Sequence, residues 1–385
     1  MGPLENLRIV EIAGIGPGPF CGMLLADMGA DVLRIDRKDG GGAPIELDAS
    51  RDILARGRRS VALDLKRPEG VALALDIIDK ADAVFEGFRP GVAERLGIGP
   101  EACMARNPKL VYGRMTGWGQ TGPLAQRAGH DINYIALSGA LYMIGRQGEK
   151  PLPPINLVGD FGGGGLLLAF GMLCALLEAR TSGKGQVVDA AMFEGASLLM
   201  SGVHALRAMQ LWRDERGTNM GDTGAHYYEV YETQDGQFMA AGPAEPQFYR
   251  ELIERLGVDA GTFAEQMNPQ KWPALKEKLA EVFRTKTREE WCAIFEGSDA
   301  CVSPVLSPSE APRHPHGLAR GSFVEIDGVV QPAPAPRFSR TAPQVRRGPP
   351  EPGEGGTEAL EEWGIPKRAI DAARAADAIR QERFA

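Results

Sequence analysis

The sequence predicts an α/β protein with a Rossmann-like large domain on a parallel sheet, joined by long straps to a smaller α+β domain. Three observations carry this. From residue 7 to about 192, short β-rich runs alternate with helical stretches, a rhythm that yields a parallel sheet wrapped by helices. Near Ala225 the pattern changes to two alternating strands around an Asp-Gly turn, followed by helical segments. Further on, PAPAPRFSRTAPQVRRGPPEPGEGG is rich in proline and glycine and reads as an extended strap.

The strands of the large domain are LRIVEIA, DVLRID, SVALDL, ADAVFEG, LVYGRMTG and QVVDAAM, with FCGMLLADMGA and GVALALDIIDK as helices between them. The apolar stretch 166–179 follows four glycines and is short for a bilayer, so it reads as a buried helix. The small domain opens with HYYEVYETQDGQFMAAG. In its helical part, residues 247 to about 295, TREE at 287–290 is a capping box starting the helix that bears Trp291 and Phe295. The plan is therefore 1–200 for the large domain, completed by 330–385; 201–224 as linker; 225–325 for the small domain; and 326–385 as return strap with a terminal helix, about 357–383. Such a strap often reaches across a partner, which predicts a homodimer.

Composition narrows the function. A chain of 385 residues that is 43% hydrophobic buries a large core, which excludes disordered and fibrous classes. The net charge of −8 argues against a broad nucleic-acid surface, so an anionic ligand must be met by a local basic pocket. Cys21, Cys103, Cys174, Cys292 and Cys301 form no CxxC pair, which fits reduced thiols in the cytoplasm and neither a disulfide framework nor a zinc knuckle. The N-terminus lacks a basic stretch before a long apolar run, Asn6 does not fit a myristoylation motif, and the final ERFA is no peroxisomal address. The expectation is a soluble enzyme with no membrane or nucleic-acid partner.

Gly14, Gly16 and Gly18 in AGIGPGPF lie between a strand and a helix, with Asp36 ending the next strand. A nicotinamide fingerprint needs a third glycine where Pro19 stands, and Pro17 interrupts the turn, which argues against NAD. A tight turn opening a helix accounts for the glycines; a helix start at Gly16 and Pro17 facing another phosphate-bearing ligand is the functional alternative. Arg34, Arg37 and Lys38, then Arg56, Arg58 and Arg59, then Arg89 gather at strand ends, where open sheets bind ligands and arginine suits phosphate; a solvated face is the plain alternative. His130 and Asp131 in RAGHDINYIALSG enter a helical run. Asp160 in NLVGDFGGGG precedes glycines that admit a ligand against the backbone, and Glu245 in GPAEPQFY precedes Pro246 at a helix start. Each has a capping or structural role open to it. Together they supply a histidine, a second carboxylate and an orienting carboxylate, the set needed to abstract a proton beside a carbonyl.

From Leu4 to about Arg340 the chain resembles the family III CoA-transferase (CaiB/BaiF-type) fold family, and within it the racemases of 2-methylacyl-CoA thioesters. The segments that carry the resemblance are GIGPGPFCGMLLADMGADVLRIDR, RGRRSVALDLK, FRPGV, GRMTGWGQTGP, AGHDINYIALSG, INLVGDFGGGG, SGKGQVVDAAM, EPQFY and DACVSPVL. It implies that His130 and Asp160 transfer protons on opposite faces of C2, that Glu245 hydrogen-bonds His130, and that Asp131 helps hold the thioester end. It implies Arg37, Arg58 and Arg89 at the nucleotide end of coenzyme A, an interlocked dimer with the site at a domain boundary, and no cofactor beyond the coenzyme A of the substrate. The chain departs from the racemase pattern at Gly221, Thr223 and His226 in NMGDTGAHYY, and at Pro243 and Ala244 before Glu245. The rival activity is a CoA-transferase using Asp160 as nucleophile; His130 with Glu245 favours racemisation.

Overall fold

The computed structural model describes residues 2–40 and 48–380, so the end of the predicted terminal helix and the ERFA terminus lie outside the described residues. Two compact units emerge: one of 1–138, 155–199 and 316–385, the other of 139–154 and 200–315.

In the first unit β1 (Arg8–Ile12), β2 (Asp31–Arg37), β3 (Arg59–Leu63), β4 (Ala83–Glu86), β5 (Val111–Thr116) and β6 (Val187–Ala191) form one parallel sheet, ordered β3-β2-β1-β4-β5-β6. Consecutive residues serve opposite faces, as the pleat requires. Val10, Leu33, Val84 and Tyr112 join one apolar layer with Leu73, Ile77 and Trp363, while Ile9, Val32, Phe85 and Val111 join the other with Leu25, Leu168 and Met172. Strand order reverses between β1 and β4, the point where such sheets open a crevice beyond their carboxyl ends.

One element that shapes this crevice departs from the sequence reading. The stretch expected as a short buried helix is continuous from Leu157 to Ser182: a π-helical segment, Leu157–Leu166, runs into the α-helix Leu167–Ser182. Phe161 N–H reaches Asn156 O, five residues back, at 3.2 Å. The glycines at 162–165 account for this, since they lack the Cβ atoms that would fill the wider turn and block close packing. With 26 residues this run is long and apolar enough to cross a membrane by length and composition. Only one face is buried, through Leu168, Met172, Ala175 and Leu176, while Phe170 and Leu177 are exposed.

The C-terminal region also differs. In place of one helix there are two, Gly356–Glu362 and Lys367–Ala375, interrupted at Gly364 (φ 71°) and Pro366. The strap returns to the first unit at residue 316, earlier than expected.

In the second unit β7 (Glu229–Glu232) and β8 (Phe238–Ala241) form the predicted hairpin, with Gly236 at φ 70° in its turn. A third strand, β9 (Val302–Pro304), completes the sheet; three residues ending in proline gave no periodic signal. The capping box at Thr287 is formed, Thr287 N–H donating to Glu290 Oε2 at 2.8 Å and Glu290 N–H to Thr287 Oγ1 at 3.2 Å. The stretch expected as a linker, 201–224, is structured: Ser201–Ala208 is helical, and the Asp222 carboxylate accepts the N–H groups of Gly217 and Asn219. In the first unit, β10 (Phe323–Ile326) and β11 (Val329–Pro332) form a hairpin that the sequence reading divided between domains.

His226, where the chain departs from the racemase pattern, is fully buried among Tyr227, Tyr249 and Phe263. Its Nε2 lies 2.7 Å from the Tyr249 hydroxyl, which donates to Phe263 O. The imidazole therefore donates through Nε2, leaving Nδ1 without a partner. Burial, and secondarily the Lys276 ammonium, holds its pKa down at about 4 against an ordinary 6.5. The unfolded chain binds this proton more readily, so the stabilisation is complete above pH 6.5 and is lost as pH falls toward 4. About 2 kcal/mol should be gone by pH 5. Denaturant titrations at pH 7.5 and 5 should show His226→Phe lacking this component; equal pH dependence in both proteins would refute the assignment.

Candidate functional site

The crevice at the carboxyl ends of β1, β4 and β5 is a cavity of about 510 Å³ lined by Gly14, Gly16, Pro17, residues 87–90, Trp118, Arg127, His130, Tyr134, Asn156 and Asp160, among others. Each wall follows from local structure. Gly16 precedes the helix Pro17–Asp27 at φ 67°, and a Cβ there would lie 3.1 Å from Asp160 Oδ2. Proline at the first helical position loses nothing, because its missing N–H would have had no partner within the helix.

His130 is the N-cap of the helix Asp131–Leu137 and its backbone is extended, with its N–H donating to Asn133 Oδ1 at 3.0 Å. Tyr134, one turn on, donates its hydroxyl to Gly129 O and meets Trp118 edge to face at 4.8 Å. Any side chain at Gly117 would collide with that ring. The loop before His130 is thereby clamped from inside the fold.

Asp131 ties the helix that follows His130 to Asp160. Its carboxylate is buried and accepts the Asp160 N–H at 2.8 Å; a Cβ on Gly159 would lie 2.4 Å from Asp131 Oδ2, so glycine is required there. Asp160 Oδ2 accepts from Asn156 Nδ2 at 2.6 Å. Burial raises the Asp160 pKa, outweighing the opposing pull of Asn156 and His130. A carboxyl shifted this way holds a proton more readily than an ordinary aspartate, as a donor to carbon needs.

A second cavity of about 480 Å³ lies beyond β1, β2 and β3, lined by Arg37, Lys38, Lys66, Asp36, Asp39 and Asp64 among others; Ile12 and Phe88 line both cavities. The match to known proteins now decides the family. The profile of CoA-transferase family III covers residues 4–355. The chain belongs to CoA-transferase family III. This family III chain is 48% identical over 371 residues to the alpha-methylacyl-CoA racemase of Mus musculus, and 46% identical over 370 residues to that of Homo sapiens, covering 95% of both chains each time. A solved CAIB/BAIF family protein from Brucella suis matches with a TM-score of 0.81 at 26% identity, covering 94% of this chain and 99% of that one.

Within the family III fold the predicted site residues part company. His130, Asp160, Gly16, Pro17 and Arg89 line the first cavity and Arg37 the second, where Arg37 pairs with Asp39 at 3.2 Å. Arg58 does not face a ligand: it is fully buried, 3.0 Å from Glu11, and donates to Pro19 O and Arg56 O. The expected contact with the nucleotide is thus corrected to support of the Pro17–Asp27 helix start. Arg56 pairs with buried Asp27, and Arg59 with Asp31 and Glu362. The Asp131 side chain, expected at the thioester, is committed to Asp160. Glu245 stands at the N-cap position of the helix Pro246–Leu256 in the second unit, its side chain making no capping hydrogen bond. Asn156 and Tyr134 escaped the sequence reading, although an amide four residues before a carboxylate in one helical run was signal enough for Asn156.

Proposed function

We propose that this chain is a racemase/epimerase that interconverts (2R)- and (2S)-2-methylacyl-CoA thioesters by 1,1-proton transfer through an enolate. The observation that carries the reading is the pair His130 and Asp160 on the walls of one cavity, joined through the Asp131 carboxylate. One group removes the C2 proton, and the other returns a proton to the opposite face. The Asn133 and Tyr134 amides are taken by His130 O, and the Asp131 and Ile132 amides at the helix start can meet the enolate oxygen. Coenzyme A would lie with its thioester end in the first cavity, beside Arg89, and its nucleotide end in the second, beside Arg37 and Lys66. Phe88 would stand between the two.

The test is incubation of one epimer in D₂O without acceptor acid, following deuterium at C2 and the epimer ratio. Exchange with racemisation is expected. No exchange, with coenzyme A passing to an added free acid and a hydroxylamine-trappable Asp160, would make the chain a transferase instead.

We also propose a homodimer. Leu166, Phe170, Leu177, Leu198 and Leu199 present an exposed apolar surface on the first unit, the kind of face a partner covers. Sedimentation at micromolar concentration should give about twice the 41.4 kDa chain mass; a monomer would remove the proposal.

A further inference from the structure

Glu86 closes the strand AVFE as a carboxylate with 0% exposure, and the sheet register sets it opposite Arg114 on β5. Arg114 Nε donates to Glu86 Oε1 at 3.0 Å, while Glu86 Oε2 accepts the Phe88 N–H at 2.6 Å. The two outer nitrogens of the same guanidinium reach Glu94, on the short helix Val92–Arg95, at 2.8 and 3.3 Å. Glu86 immediately precedes the segment 87–90 and Glu94 follows it, so one arginine fastens the chain on both sides of the segment. From a third side, Gln126 Nε2 donates to Pro90 O at 3.1 Å.

All four residues of the segment line the first cavity, and Phe88 lines the second as well. Glu86, Arg114 and Glu94 line neither. Burial pushes Glu86 up to about 7 against the pull of the Phe88 amide and Arg114, and a buried ion pair of this kind contributes little net stability compared with apolar packing. Its distinctive contribution is geometric: a planar guanidinium holding two carboxylates, one of which holds a backbone amide at the cavity wall.

We infer that Glu86, Arg114 and Glu94 are positioning residues that hold segment 87–90 against the substrate, setting affinity for the acyl-CoA and not the rate of proton transfer. The inference rests on the reading of the two cavities as the substrate site. Glu94→Gln loosens the outer bond without leaving a deeply buried charge unpaired, and Arg114→Lys keeps the charge but cannot span both carboxylates. Each should raise KM for a 2-methylacyl-CoA about 10-fold while kcat and C2 exchange at saturation stay within about 3-fold. Glu86→Gln, which keeps an oxygen for the Phe88 amide, should fall between wild type and Glu86→Ala in KM, with thermal melts reporting folding separately. A fall in kcat at unchanged KM in Glu94→Gln and Arg114→Lys would overturn the inference. Arg89→Ala separates the two failures. If it leaves KM unchanged, segment 87–90 does not meet the substrate and the site reading fails; if it raises KM while Glu94→Gln and Arg114→Lys do not, this inference alone falls.

Discussion

His130→Ala and Asp160→Asn should each lower racemisation by roughly 10²- to 10⁴-fold, the worth of one positioned acid or base, yet fail in opposite ways. With two groups on opposite faces of C2, each epimer offers its proton to one of them and takes a new proton from the other. Removing His130 leaves Asp160 able to exchange the proton of the epimer that faces it, and removing Asp160 leaves the reverse. In D₂O, each variant should therefore incorporate deuterium from one epimer only, without inversion, and the two should choose different epimers. Asn156→Ala removes the hydrogen bond to Asp160 Oδ2, so it should act on the Asp160 half-reaction alone. If both variants exchange the same epimer, or both epimers equally, a single base serves both faces and the two-base reading is lost. A transferase would show neither half-reaction.

This outcome depends on a geometry that the sequence disclosed only in part. The central strands β1, β3, β4 and β5 were legible because each is a short run buried on both faces, as a sheet covered by helices on both sides demands. His130 and Asp160 were legible because each stands beside a change of local structure: a helix start and a run of glycines. The arginines were not. At a strand end, arginine can meet either a ligand or an acid remote in sequence, and local spacing cannot tell these apart. Arg58 found Glu11 and Arg56 found Asp27, both inside the fold; Arg37 and Arg89 found cavities. Glu86 was hidden for the same reason: its meaning lies in Arg114, across a strand pair whose register becomes visible only in three dimensions. Asp131 shows the complementary limit: the resemblance implied a hold on the thioester end, whereas its side chain lies on the Asp160 amide.

Gly195→Ala should be the most damaging single methyl group added to the site's scaffold. The residue lies inside the helix Met192–Leu199, where intrinsic propensity alone would favour alanine over glycine by about 1 kcal/mol. Packing reverses the sign. An alanine Cβ would stand 1.9 Å from Gly163 O and 2.5 Å from Gly163 C, and a Cβ on Gly163 would in turn stand 2.6 Å from Ala196 N. The obstacles are backbone atoms, which no rotamer change can clear, so the helix must back away from the π-helical segment. Overpacking of this kind costs about 1–3 kcal/mol, and with backbone on both sides the upper end is expected, outweighing the propensity gain. The displaced segment carries Asp160 three residues before Gly163, so kcat should fall together with the denaturant midpoint. Gly202→Ala is the control: it too lies inside a helix, Ser201–Ala208, but its added Cβ meets nothing within 4 Å, and it should leave the midpoint unchanged or slightly raised. A Gly195→Ala protein as stable and active as wild type would mean that the two segments separate freely, and that the glycines do not set the position of Asp160.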